Sequence, residues 1–297
     1  MSVFFNRPFR PLTPYQMVIF VALVVAAIFA LLYPIVLVFV AQPRLQVGWR
    51  FFAYGSFIFI LFQLVTRIPL VLVAQTFVGP WIQLSTALAM GWLAILALTA
   101  GLFEEVGRYV GYRWLMKRDT KTWNKAIMYG MGHGGIEAIL LIGVGNLITV
   151  AGLASIPGTV GTLSPEQQDL LAQQLAPIYA LPDWIPLLGG WERLWAVIFH
   201  VALSVMVFQV FRHNNIRWLW LAIAIHALAN FVVVGVGSFF QLTGLSSYLI
   251  PQALMFFLVL ASLWFIWRCR EPQAPDDSFS GSSSEQGVLV TGTDTAP

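Results

Sequence analysis

The sequence predicts an all-α integral membrane protein with about seven transmembrane helices, its N-terminus outside the cell and its C-terminus in the cytoplasm. Of its 297 residues, 59% are hydrophobic and only 10% are charged, whereas soluble domains carry about 25% charged residues. So few charges cannot cover a water-soluble surface, and the apolar residues occur in runs long enough to cross a bilayer. We therefore expect a multi-pass protein of the cell membrane that contacts lipids.

Seven apolar stretches reach the roughly 20 residues that a membrane-spanning helix needs. The second stretch contains Arg67 and Pro69, so an alternative ends its helix at Arg67 and makes the following residues re-entrant. The third contains two glutamates and an arginine, which makes it the least obvious span. We predict the spans over residues 16–41, 51–78, 84–112, 123–150, 191–211, 217–241 and 246–267.

The basic residues set the predicted orientation. The intervening loops 79–83 and 242–245 are uncharged, and loop 151–190 is acidic. Since Lys and Arg favour cytoplasmic loops, the basic segments should face the cytoplasm. The net charge of +3 does not indicate nucleic-acid binding, because the basic residues are spread between spans and form no patch. They recur in every second interhelical segment and after the last span, in residues 42–50, 113–125, 212–217 and 268–270.

The outer loop between the fourth and fifth spans should contain a short helix. Ser164 is a good N-cap residue, Pro165 suits the first helical position, and Pro177 should end the helix. The C-terminal tail is rich in Ser, Gly and acidic residues and is predicted to be disordered. The predicted parts of the chain are an N-terminal segment at 1–15, a transmembrane domain at 16–267 that includes the outer loop 151–190, and a disordered cytoplasmic tail at 268–297.

Ionisable side chains lie within the predicted spans, where each costs several kcal/mol and indicates a functional site. Glu104 and Arg108 are four residues apart on one helix face, so we expect them to pair. Counted from the basic cytoplasmic ends of the spans, one carboxylate and three imidazoles share a depth of roughly 12–18 Å. The alternative is a polar network that only holds helices together. The four side chains are those of Glu104, His133, His200 and His226.

The residue types limit the chemistry of this candidate site. The predicted spans contain no Asp, which argues against a paired-aspartate protease, and the chain has no H-E-x-x-H motif, which argues against a zincin. Ser238 has no base at a matching depth. A Glu removed from water is a strong general base, and a neighbouring His and Asn can donate hydrogen bonds to an oxyanion.

The polar motifs resemble those of the YhfC family, within the wider group of type II CAAX prenyl proteases and bacteriocin-processing enzymes. The resemblance covers about residues 50–265. In the wider group the first motif is E-E-x-x-x-R and the second begins with Phe, whereas here the Arg is one position closer and Tyr replaces Phe. The motifs are Glu104-Glu105-Val-Gly-Arg108, Tyr129-x-x-x-His133, Glu192-Arg193 followed by His200, and His226-x-x-x-Asn230.

The resemblance implies a glutamic-type intramembrane protease, a peptide hydrolase that needs no cofactor and acts on an unknown membrane protein or peptide. In this interpretation Glu104 with His133 activates water, and His226 with Asn230 binds the oxyanion. His200 lines the same cavity. The implied catalytic residues are Glu104, Glu105, Arg108, His133, His200, His226 and Asn230, with Tyr129, Glu137 and Ser204 supporting them.

Three alternatives remain open. The wider group contains non-catalytic members, so the chain could be a membrane scaffold or binding protein with the same polar core. Intramembrane Glu and His residues also serve proton relays in transporters. Finally, His133, His200 and His226 could bind zinc with one coordination position open, and Glu137 lies beside His133. The metal-free protease ranks above the zinc-dependent one, because the resemblance implies glutamate chemistry.

Overall fold

A computed structural model describes residues 14–179 and 182–270, and within these ranges every regular element is helical. Apart from residues 14–15 and 268–270, the predicted N-terminal segment 1–15 and disordered tail 268–297 lie outside the described residues. Seven helices are long and apolar enough to span a membrane. The helices are α1 (Pro14–Leu45), α2 (Arg50–Ile82), α3 (Thr86–Leu115), α4 (Trp123–Ile156), α5 (Pro165–Tyr179), α6 (Ile185–His213), α7 (Arg217–Phe239) and α8 (Ser246–Arg268).

The seven predicted spans are confirmed, with shifts at some ends. Helix α6 begins at Ile185, six residues before the predicted start at 191. Helix α2 continues through Arg67 to Ile82, so the re-entrant alternative is wrong. The reason is that Pro69 lies in the first turn after a π-helical segment, where its missing N–H is tolerated.

Three of the spans contain π-helical turns, which frequently occur at functional sites. Each lies within three residues of a buried or half-buried polar residue of its own helix. In α2 the turn ends at Arg67, in α3 it begins three residues after Arg108, and in α4 it begins directly after Glu137. The π-helical turns are Ile60–Arg67, Gly111–Leu115 and Ala138–Val144.

Helix α6 forms the centre of the bundle. It is the most buried of the spans, and it contacts α1, α3, α4, α7 and α8. Its buried face carries His200 and Ser204 as the polar side chains nearest to the middle of the helix. The central position explains why side chains from several other helices can reach the same point.

Glycines allow α4 to approach both of its neighbours closely. A Cβ atom added to Gly132 would lie 2.0 Å from the Phe52 carbonyl oxygen on α2, and one added to Gly130 would lie 2.6 Å from the Val201 Cα atom on α6. Ser56 Oγ also donates a hydrogen bond of 3.0 Å to the Gly132 carbonyl oxygen. These contacts fix the segment of α4 that carries His133.

The loop helix α5 has the predicted start. The Ser164 hydroxyl oxygen accepts a hydrogen bond from the Gln167 amide, while the Gln167 side chain accepts one from the Ser164 amide. This reciprocal pair is a capping box. The helix ends at Tyr179, two residues beyond the predicted end at Pro177.

Candidate active site

The four side chains expected at one depth meet at the Glu104 carboxylate. Its Oε2 atom lies 3.0 Å from His133 Nε2, 3.9 Å from His200 Nδ1 and 4.0 Å from His226 Nε2. All four residues are buried. Helices α3, α4, α6 and α7 therefore each contribute one polar side chain to the same point, as their spacing from the basic helix ends predicted.

Arg108 binds Glu105, so the predicted pair between Arg108 and Glu104 is wrong. Arg108 Nε lies 2.9 Å from Glu105 Oε2, and one terminal nitrogen lies 3.2 Å from Oε1. Residues three and four positions apart both share a helix face, so spacing alone allowed either partner. The other Arg108 terminal nitrogen donates to Ser204 Oγ at 2.6 Å and the His200 carbonyl oxygen at 3.2 Å. These contacts hold the guanidinium against α6, on the side where Glu105 lies.

Glu105 also fixes the tautomer of His226. Glu105 Oε1 lies 2.8 Å from His226 Nδ1, and a carboxylate bound by Arg108 can only accept hydrogen bonds. The hydrogen of the neutral imidazole must therefore be on Nδ1. This leaves the Nε2 lone pair of His226 facing Glu104.

A second group of Arg, Glu and His holds the other side of the site. Arg193 donates a hydrogen bond of 3.0 Å to Glu137 Oε1, and Glu137 Oε2 lies 2.7 Å from His200 Nε2. Glu137 was predicted to support the site, whereas Arg193 was named only within the Glu192-Arg193 motif and had no predicted role. A signal was present, because Arg193 lies seven residues, or two helical turns, before His200 on α6.

One carboxylate in the site, that of Glu104, has no lysine or arginine partner among the described residues. Glu105 and Glu137 are each paired with an arginine, whereas no Lys or Arg of residues 14–179 and 182–270 lies within ion-pair distance of Glu104. Its neighbours are the three imidazoles. A divalent cation would balance the negative charge of Glu104.

Three of these residues could hold a metal ion. Ligand atoms of Glu104, His133 and His200 all lie within 4.8 Å of one another, and one carboxylate with two imidazoles is a donor set that suits zinc. The ring nitrogen of His133 that faces this group is Nε2, 3.0 Å from Glu104 Oε2. The group differs from the alternative of three histidines, because Glu104 takes the place of His226.

The remaining predicted residues surround this cluster. The Tyr129 hydroxyl lies 3.4 Å from the Arg108 carbonyl oxygen, and Ser204 accepts from the Arg108 side chain. Both therefore contact Arg108 and do not contact the Glu104 carboxylate. Asn230 is half-buried, one turn after His226 on α7. Its side-chain amide makes no hydrogen bond to the part of the chain that the structure describes.

Comparisons with known proteins point to one family. The model of the family described as YhfC intramembrane metalloprotease matches residues 28–254, which include every candidate site residue. The uncharacterized membrane protein YhfC of Bacillus subtilis (strain 168) is 36% identical over 137 residues, which are 45% of this chain and 52% of that protein. The chain thus spans about half the length of this curated relative. No solved structure matches the chain significantly.

Proposed function

The chain belongs to the YhfC intramembrane metalloprotease family, and on this premise we propose that it hydrolyses peptide bonds in the membrane with a zinc ion held by Glu104, His133 and His200. One observation carries the proposal: the ligand atoms of these buried residues, from three different spans, lie within 4.8 Å of one another. Zinc would supply Lewis-acid polarisation of the peptide carbonyl and activation of water.

In this proposal His226 is the general base. Its Nε2 atom lies 4.0 Å from Glu104 Oε2, at the edge of the proposed metal site, and has a free lone pair because Nδ1 donates to Glu105. His226 would take a proton from the attacking water, and Glu105 would stabilise the imidazolium that forms. Arg108 holds Glu105 in place with two nitrogens.

Asn230 would stabilise the oxyanion that forms on the peptide carbonyl. It lies four residues after His226, so both side chains are on one face of α7. Its amide has no partner within residues 14–179 and 182–270, so its N–H groups are available to a substrate. An unpaired donor beside a reacting carbonyl is the arrangement that oxyanion stabilisation needs.

A metal-free glutamate mechanism is the second candidate. Its support is the contact of 3.0 Å between Glu104 Oε2 and His133 Nε2, which suits a carboxylate that takes a proton from water with His133 as its partner. The zinc mechanism now ranks first, in reverse of the order favoured by the sequence. The reasons are the family description and the position of Glu104 between two potential imidazole ligands.

Zinc content tests this proposal without knowledge of the substrate. The purified protein should contain about one zinc per chain, the stoichiometry of a single three-ligand site. His133→Ala should lose this zinc. His213→Ala is the matched control and should keep the zinc, because His213 is an exposed histidine at the end of α6. Cleavage of a fluorogenic transmembrane peptide by zinc-free protein would refute the metal mechanism.

A further inference from the structure

A cavity of about 320 Å³ lies between α4, α6 and α8, beyond the candidate active site as seen from the basic helix ends. Glu192 and Gln252 line it, and Gln252 Nε2 donates a hydrogen bond to Glu192 Oε1. Asn146, Ser247 and Tyr248 are further polar lining residues. Apolar residues such as Ile142, Ile185 and Leu188 also line it, and the five polar side chains give water molecules hydrogen-bond partners there.

Helix α6 runs from this cavity to the active site. Glu192, at the cavity, is followed directly by Arg193, which binds Glu137. Glu137 contacts His200, and His200 Nδ1 lies 3.9 Å from Glu104 Oε2. The route along α6 from Glu192 to His200 is eight residues, or about 12 Å.

Most of the buried polar atoms without hydrogen-bond partners belong to residues of this route. Across residues 14–179 and 182–270 there are four such side-chain atoms: Gln252 Oε1, Arg193 Nε, Glu137 Oε2 and His133 Nδ1. Glu137 Oε2 lies 2.7 Å from His200 Nε2 and so has that imidazole as an ion-pair partner. Buried polar atoms are almost always paired with protein or with ordered water.

We propose that water reaches the active site from this cavity, past Gln252 and the ion pair between Arg193 and Glu137. Gln252 Oε1 and Arg193 Nε are positions at which these water molecules are held. At a hydrogen-bond spacing of about 2.8 Å, roughly four molecules cover the distance from Glu192 to His200. The use of this water for peptide hydrolysis rests on the proposed function, whereas the presence of water on the route does not.

A cysteine at the cavity tests whether it contains water, because thiols react as thiolates and these form in water. Gln252→Cys and Ala253→Cys would be made in a Cys269→Ser background. The two positions have nearly the same depth, but Ala253 is exposed on the bundle surface and does not line the cavity. In proteoliposomes, a charged methanethiosulfonate reagent should label Gln252→Cys about ten times faster or more. Equal rates would overturn the proposal.

A second pair of variants tests whether the route supplies the active site. A Cβ on Gly189, a cavity-lining residue, would meet no atom within 4 Å, and the same holds for Gly152, which lies outside the cavity. Gly189→Leu should fill the cavity and slow both the labelling at position 252 and peptide cleavage, with zinc content unchanged. Gly152→Leu should change neither.

The two measurements separate the route from the proposed function. If the wild-type protein cleaves no peptide but the labelling difference persists and Gly189→Leu removes it, the route is supported and the proposed function fails. If the wild-type protein cleaves the peptide and Gly189→Leu cleaves it at the same rate, water enters elsewhere and the proposed route is refuted.

Discussion

His226 Nδ1 donates a hydrogen bond of 2.8 Å to Glu105 Oε1. The same carboxylate is bound through both oxygens by Arg108, so the three side chains form one buried unit across α3 and α7. This unit holds the His226 ring with Nε2 toward Glu104. Changes to Arg108 or Glu105 should therefore alter both stability and catalysis, whereas changes to His226 should alter mainly catalysis.

Removal of Arg108 should strongly destabilise the protein. Arg108→Leu leaves the Glu105 carboxylate buried without its cation, and breaking a buried ion pair typically costs about 3–5 kcal/mol. The double variant Glu105→Leu with Arg108→Leu should recover much of this stability, because an apolar pair can replace a buried ion pair. The measurement is the thermal unfolding midpoint in detergent. If the unfolding midpoint of Arg108→Leu recovered when Glu104→Leu was added but not when Glu105→Leu was added, the pair of Arg108 with Glu104 expected from the sequence would be supported.

His226→Ala should separate the general base from the metal ligands. Loss of a general base lowers kcat by about 10²–10⁴-fold, and His226 is outside the group of atoms that could bind a metal. The variant should therefore keep its zinc and lose cleavage of a fluorogenic transmembrane peptide. His200→Ala should lose both. If the His226→Ala protein contained no zinc, His226 would be a zinc ligand, as in the three-histidine alternative predicted from the sequence.

The sequence predicted the spans and the common depth of the site because both depend on distance along helices. Hydropathy fixes where a helix lies in the bilayer, and residue counting then fixes the depth of Glu104 and the three histidines. The sequence could not decide between Glu104 and Glu105 as the partner of Arg108, because residues three and four positions apart both share a helix face. That choice depends on α6, where Ser204 and the His200 carbonyl oxygen bind the guanidinium.

The partner of Arg193 and the π-helical turns could not be predicted from the sequence. Arg193 lies two turns before His200, but its partner Glu137 comes from a different span. The pairing becomes visible only when α4 and α6 are placed together. Hydrogen bonds in π-helical turns join residues five positions apart, compared with four in an α-helix, and hydropathy does not distinguish the two.

Asn230→Ala should lower catalysis without affecting the fold. Loss of one oxyanion donor typically lowers kcat by about 10²–10³-fold. Because the amide makes no hydrogen bond to the described residues, its removal should leave the unfolding midpoint and the KM nearly unchanged. Steady-state kinetics and thermal unfolding of the same preparation check this. A large fall in the unfolding midpoint with kcat retained would assign Asn230 a structural role.

The predicted orientation places residue 170 outside the cell and residue 280 in the cytoplasm. Leu170→Cys and Ser280→Cys in a Cys269→Ser background would be treated with an impermeant thiol reagent in intact cells. Only Leu170→Cys should react, because the basic segments favour the cytoplasm. In cells whose membranes are opened, both should react. Labelling of Ser280→Cys alone in intact cells would reverse the orientation.

Zinc binding should stabilise the folded protein through Glu104. A ligand that binds only the native state adds RT ln(1 + [L]/Kd), about 2.7 kcal/mol at 100 times Kd. Protein treated with a chelator should therefore unfold at a lower temperature and lose cleavage, and added zinc should restore both. Glu166→Gln, in the exposed loop helix α5, is a matched control that should behave as the wild type.

Glu104→Gln distinguishes the two mechanisms because it keeps the shape of the side chain but removes its charge. If Glu104 is a zinc ligand, the variant should show little stabilisation by added zinc and no cleavage, and its zinc-free unfolding midpoint should be close to that of the chelated wild type. If Glu104 is instead a metal-free base, the chelated wild type should cleave at the full rate. In that case Glu104→Gln should lose about 10²–10⁴-fold in kcat, and zinc should shift the unfolding midpoint of neither protein.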